Sequence, residues 1–466
     1  ISQSINLIFY GPEWFNSYNT KSPYGQNDAA LWQGRGYNTS FSSGLRIEGY
    51  GFELSCKPQI TFSQNKDFEI LEGVYGNKYS YFYKGNIDLV QRFGDKCYWQ
   101  YDLGDTEIRW SWYTLTFGLG TEAIWLGPAW LNPMLHSNNA PTYPKFDIGL
   151  RKQKVIVPGC NLNLGFIEGR MWVGQLTESD FFDNNTENNK RLTAGFNASY
   201  APSFLPGFTL GLNKVCIAGW SNKAWKYLNP LYNENDVYGP GEDQKMSISA
   251  EWLLPKAGID LYAELGLDDY SAEPITNPFH TAVYTVGLRK TIDIFESWEK
   301  TKKHNIQGEL IFEFNNFEMS QDFQLQWQYM GYYSHGKISQ GYTQKGQIIG
   351  AGSGYFGNSQ FIGIRIYYPK GSFLFFAHRD CPDTNYIYNQ AVNNVAANIN
   401  AKYYAMYKTN ISTGLSAEYL FTNSLLLNGE IDFQYTRFPL YKASPENFWA
   451  SDIINFRFVL GAKYKL

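Results

Sequence analysis

Two short stretches of the chain concentrate the side chains able to do chemistry. Asn27–Gly36 reads NDAALWQGRG and gathers Asn27, Asp28, Trp32, Gln33 and Arg35. Gly118–Pro144 reads GLGTEAIWLGPAWLNPMLHSNNAPTYP and adds Glu122, Trp125, Trp130, Asn132, His136, Asn138 and Asn139. A phosphate cradle needs its glycine-rich turn between a strand and a helix. No helical pattern follows Gln33-Gly34-Arg35-Gly36, so that chemistry is a poor fit. Glycoside hydrolysis needs two carboxylates about 5–10 Å apart. Asp28 and Glu122 are the right type of group, but their spacing along the chain does not set their separation. A structural role fits better. The planar fork of Arg35 suits carboxylates and carbonyls in a wet interior. Asp28 and Glu122 are its natural partners, with Trp32 and Trp125 packed across the same space. Residues 24–40 are therefore expected to form a strap.

Gly127-Pro128 and Asn138-Asn139-Ala140-Pro141 are turn chemistry, because Asn caps local backbone and Pro fixes a bend. Residues 120–145 are expected to be a folded-in loop. Carbohydrate sites combine aromatic faces with amide, carboxylate and guanidinium hydrogen bonds, so Trp130, Asn132, His136, Asn138 and Asn139 stand as candidate sugar contacts. The histidines at 136, 280, 304, 335 and 378 are scattered and form no metal-binding spacing. Ser334-His335-Gly336 and His378-Arg379-Asp380 lack the elbow of a serine hydrolase and read as loop or rim residues. Carboxylates within 236–243 and at Asp268-Asp269 offer ligands for Ca²⁺, but solvated loop charge is the default reading. No cofactor motif is present. The five cysteines fit no zinc or redox pattern and read as small, inert thiols.

The elements that hold these stretches are strands. Aromatics make up 18% of the chain and charged residues 18%, against about 25% charged in a typical soluble domain. No apolar run approaches the roughly 18 residues of a spanning helix. Met246, Ile248, Ala250, Trp252 and Leu254 alternate with Ser247, Ser249 and Glu251; the pattern resumes after Pro255–Gly258. Near the C-terminus, Ile454, Phe456, Phe458, Leu460, Ala462 and Tyr464 oppose Asn455, Arg457, Gly461 and Lys463, with Val459 as the exception. Strands with one greasy and one charged face suit lipid outside and water inside. Short turns alternate with long polar loops, among them 181–190, 221–243 and 296–304, the last a short helical turn. The expectation is an all-β chain: one antiparallel transmembrane barrel over residues 1–466, in a Gram-negative-type outer membrane. A first residue other than Met suggests that an export signal has been removed. A net charge of −4 without a basic tract argues against nucleic acid.

The two opening stretches together resemble the Wzi family of capsule-assembly outer-membrane proteins. Asn27-Asp28, Trp32–Gly36, Gly120-Thr121-Glu122, Trp125–Pro128 and Ser137–Pro141 carry the resemblance, with weaker echoes at Asp243-Gln244, Asp268-Asp269 and Gly346–Asn358. It implies an eighteen-stranded barrel that binds surface polysaccharide and helps attach a capsule. The sequence departs from the family in lacking an amphipathic helical plug segment ahead of NDAALWQGRG, and in ending on Leu466 where an aromatic is usual.

Four readings follow. The first is a non-enzymatic, lectin-like barrel whose partners are surface polysaccharide and outer-membrane lipid. The second is a passive porin, which the inward charges Asp260, Glu264, Glu309, Glu313, Arg365, Arg437 and Arg457 also suit. The third is a barrel anchoring an envelope complex with protein partners, and the last is an outer-membrane hydrolase.

Overall fold

A computed structural model describes residues 4–71, 77–81, 87–220, 226, 241–268, 281–295, 306–318, 331–386, 406–441 and 451–465. Eighteen antiparallel strands close on themselves. In chain order they are β1 Asn6–Asn19, β2 Gly36–Gly49, β3 Phe52–Cys56 continuing as Gln59–Ser63, β4 Tyr98–Asp102 continuing as Glu107–Trp112, and β5 Leu115–Gly120. Then come β6 Lys145–Val157, β7 Leu162–Thr177, β8 Lys190–Pro202, β9 Phe208–Gly219, β10 Glu242–Leu254 and β11 Ile259–Asp268. The last seven are β12 Val283–Phe295, β13 Ile306–Asn316, β14 Asn358–Tyr368, β15 Gly371–Cys381, β16 Thr409–Leu420, β17 Leu425–Arg437 and β18 Ile453–Tyr464. Neighbours in sequence pair throughout, and β18 pairs with β1 through Leu460 opposite Asn16, which closes the wall. The break in β3 at Lys57-Pro58 faces the break in β4, so both strands bend together.

The polarity is inverted relative to a soluble protein. Ile248, Leu261, Ile362, Phe375, Ile431 and Leu460 face outward and are exposed. Asn38, Asp147, Lys245, Glu264, Glu313 and Asp432 face inward and are buried. Closure satisfies the backbone within the wall, and the exposed apolar band meets lipid. This is an outer-membrane barrel. The alternation expected for 246–267 and for the last strand is present; Val459 points inward and is buried, as its place in the pattern requires.

Ion pairs tie the inner faces of the strands. Arg109 bridges Glu107 at 2.5 Å and Asp147 at 2.8 Å; Lys245 lies 2.5 Å from both Asp243 and Asp268. Removing one partner of such a buried pair costs about 3–5 kcal/mol. No disulfide joins the cysteines: Cys56, Cys97 and Cys160 are exposed, Cys216 and Cys381 buried.

Turns at one end are short, as at 50–51, 113–114, 255–258 and 369–370. At the other end, residues 20–35, 64–97, 121–144 and 317–357 connect the strands. Short turns lie on the periplasmic side of such barrels, so the long connections belong to the outer face. Most of 221–243, together with Asp269, His280, 296–304 and Leu466, lies outside the described residues.

Candidate functional site at the barrel mouth

Residues 20–35 cross from β1 to β2 inside the mouth, held by two asparagines of the wall. The Asn19 side-chain amide donates to the carbonyls of Tyr24, Gln33 and Gly34 at 3.1–3.2 Å. The Asn38 amide donates to the carbonyls of Gly34 and Gly36 at 3.0 and 3.1 Å. Ser17 donates to Gln33 Oε1 at 2.6 Å, and Gln33 Nε2 donates to Asp28 Oδ2 at 2.7 Å. Burial, only partly opposed by Arg457 and the Gln33 amide, pushes the Asp28 carboxyl up to about 6.

Arg35 does not reach the partners expected for it. Its guanidinium donates to the carbonyls of Thr20 and Asp67. Glu122 instead offers its backbone carbonyl to the Lys145 ammonium. Trp32 packs on Phe93 at 5.1 Å, while Trp125 is 40% exposed. Among the described residues no carboxylate lies within ion-pair distance of Arg35.

Residues 121–144 fold back beneath the 20–35 segment. The Glu313 carboxylate, on β13, accepts the backbone N–H groups of Trp130, Leu131 and Asn132 at 2.8–2.9 Å. The Tyr262 hydroxyl donates to the same carboxylate at 2.7 Å. The Trp130 ring packs on Phe361 at 4.9 Å. His136 is buried in an aromatic box, its Nε2 2.7 Å from the Tyr143 hydroxyl and its ring 5.6 Å from Trp172. Burial lowers the His136 pKa to about 3, which keeps the ring neutral. The upper segment meets the lower one directly: Ala29 N–H donates to Asn138 O at 2.6 Å, Asn27 Nδ2 to Leu131 O at 2.8 Å, and Gln26 Nε2 to Asn132 Oδ1 at 2.7 Å.

A third layer was the weakest of the sequence signals. Residues 331–357, with their glycines, lie against the outer ends of the wall strands, with Lys345 N–H donating to Thr177 O at 2.8 Å and Asn315 Nδ2 to Ser353 Oγ at 2.9 Å. Tyr332, Tyr333, Tyr342, Ile348, Ile349 and Ala351 pack with Met134, Leu135 and wall residues Trp172 and Val283 in one buried cluster. Ser137 donates to Gly350 O at 2.6 Å, and Asn139 Nδ2 to Ile348 O at 3.1 Å. A Cβ on Gly350 would sit 2.4 Å from Met134 O, so only glycine permits this approach. Arg191 of β8, buried, holds the layer by donating to the carbonyls of Gly341 and Thr343 at 2.8 and 2.9 Å. Alternation marks Glu313 and Arg191 as inward-facing; nothing local in the sequence shows which backbone they would grip.

Above these layers a cavity of about 520 Å³ opens at the mouth, within the roughly 300–1,000 Å³ of ligand sites. Asn27, Asp28, Trp32, Gln33, Arg35 and Asn139 line it on one side. His378, Asp380, Asp383, Lys408, Gln434 and Tyr441 line the other. Tyr24 and Trp32 present partly exposed rings to it. Trp130, Asn132, His136 and Asn138 are not in its lining, and Asn132 and His136 are buried within the packed layers. The Asp383 carboxylate is fixed by the Tyr81 and Tyr355 hydroxyls at 2.8 and 3.0 Å and by the N–H groups of Asn385 and Tyr386, both at 2.9 Å. Burial raises its pKa to about 6. Among the described residues no group of side chains is suited to a metal ion.

The chain superposes on Wzi, an Escherichia coli outer-membrane protein involved in group 1 capsule assembly and described as a carbohydrate-binding β-barrel, with a TM-score of 0.60 at 12% identity. That match covers 98% of this chain and 85% of Wzi. Pseudomonas putida OprB gives a TM-score of 0.43 at 9% identity, covering 100% of this chain and 94% of OprB. A BenF-like porin from Pseudomonas fluorescens Pf-5 gives 0.42 at 9% identity, covering 100% of both chains. No protein-family model and no curated protein matches the sequence. The barrel therefore has the fold of Wzi.

Proposed function

We propose that this barrel is a non-catalytic receptor for surface polysaccharide, which holds a glycan segment at its outer mouth and helps anchor or assemble a capsule. The observation that carries the reading is a polar cavity with aromatic walls at a mouth into which three segments of chain fold and pack together. A porin needs the opposite arrangement, a continuous aqueous path. Stacking on Tyr24 and Trp32, with hydrogen bonds from the amides of Asn27, Gln33, Asn139 and Gln434, is the usual chemistry of sugar recognition. The shared fold with a carbohydrate-binding barrel supports it. Residues 24–40 act as a strap that shapes the cavity, and 120–145 as the folded-in loop that supports the strap.

The test is titration of the detergent-purified full chain with oligosaccharides released from surface polysaccharides, following Trp fluorescence. Saturable binding that weakens at least tenfold in Trp32→Ala supports the reading. No binding of any glycan, together with steady ion conduction, moves the protein to the porin class.

A further inference from the structure

The charges around the mouth cavity are not evenly satisfied. Its buried carboxylate, Asp383, already accepts four hydrogen bonds. Asp28 accepts from the Gln33 amide, and Asp380 from Asn410 Nδ2 at 2.8 Å. The cations differ. Arg35 donates only to main-chain carbonyls, and among the described residues no carboxylate lies within ion-pair distance of it. Lys408 is partly buried in the cavity wall and has neither a hydrogen bond nor an ion pair from its ammonium among the described residues; Asp380 acts on it only from beyond that range. Beside it, His378 is 8% exposed and its Nε2 has no partner. The buried Asn27 Oδ1 and Ser22 Oγ are also unpartnered. Of the lining carboxylates, Glu69 alone accepts nothing, and it is exposed at the rim.

A partly buried ammonium without a counter-ion is costly unless something supplies one. Resting on the glycan reading above, we propose that the cavity takes a sugar residue bearing an anionic substituent, a carboxylate or a phosphate, paired by Lys408 and Arg35.

The experiment compares three probes on the detergent-purified full chain at fixed ionic strength: tetragalacturonate, its methyl ester, and a mannose-6-phosphate-terminated tetrasaccharide. The expected result is binding of at least one acidic probe ten times tighter than of the ester. Lys408→Met should remove that preference, and Lys408→Arg should keep it. The two acidic arms tell carboxylate from phosphate. Equal affinity for acid and ester, or an unchanged preference in Lys408→Met, overturns the charge assignment and leaves the glycan reading standing. Failure of all three probes to bind, in a protein whose circular dichroism is that of a folded barrel, overturns the assignment as well. Should released surface glycans also fail to bind, the glycan reading falls with it.

Discussion

Glu313 and Asn132 are 181 residues apart in sequence, yet the Glu313 carboxylate accepts the Asn132 backbone N–H at 2.8 Å and its side-chain amide at 3.2 Å. With the N–H groups of Trp130 and Leu131 on the same carboxylate, a wall residue becomes the fastener of a loop. The inward charge that a porin would use to bias ions is here spent on three backbone donors.

Glu313→Ala should therefore free residues 121–144 without opening the wall. Each buried donor left unpaired costs about 1–3 kcal/mol. Hydrogen exchange at Leu131 and Asn132 is expected to accelerate at least tenfold, with wall strands unchanged.

Arg191→Met should act on residues 331–357. It strips the carbonyls of Gly341 and Thr343 of their donor. Limited proteolysis of the folded protein should then cut within 331–357, where the parent resists.

Gly352→Val should do the same by collision. A Cβ there would lie 2.3 Å from Gln26 Cγ and 2.7 Å from Asn139 Oδ1. The substitution forces residues 331–357 away from both other segments, so cleavage and stronger quenching of Trp fluorescence by an added quencher are expected together.

Acid should loosen one segment and tighten another. His136 falls from 6.5 to about 3 on folding, so its contribution is complete above pH 6.5 and is lost as the pH drops through that window. At pH 5 the loss is about 2 kcal/mol, at 1.36 kcal/mol per pH unit. Asp28 rises from 3.8 to about 6, so its contribution is present below pH 3.8 and lost as the pH climbs through 6. Between pH 7 and 5, protection against exchange, corrected for the intrinsic rate at each pH, should fall in 130–137 and rise in 27–34. His136→Gln should abolish the first change only.

The wall was legible in the sequence because each strand meets two solvents, and that leaves a period of two in residues such as Met246–Leu254 and Ile454–Tyr464. The stretches around Asp28 and Glu122 were legible, by their turn residues, as connections between strands. Their partners were not. Arg35 has Asp28 nearby in sequence but donates to the Thr20 and Asp67 carbonyls, which sequence cannot rank by distance. Residues 331–357 carry no alternation because they pack on other segments and not as a wall strand between two solvents, so their glycines read only as loop. Asn132 and His136 have the composition of sugar contacts but fill the packing below the cavity, while Lys408 and His378, distant in sequence, line it.

The most direct test of a filled lumen beneath a binding mouth is the current through a planar bilayer holding the purified full chain. The account predicts no steady ohmic conductance in the parent, and discrete openings in a Glu313→Ala, Arg191→Met double variant. A steady, porin-sized conductance in the parent would contradict it.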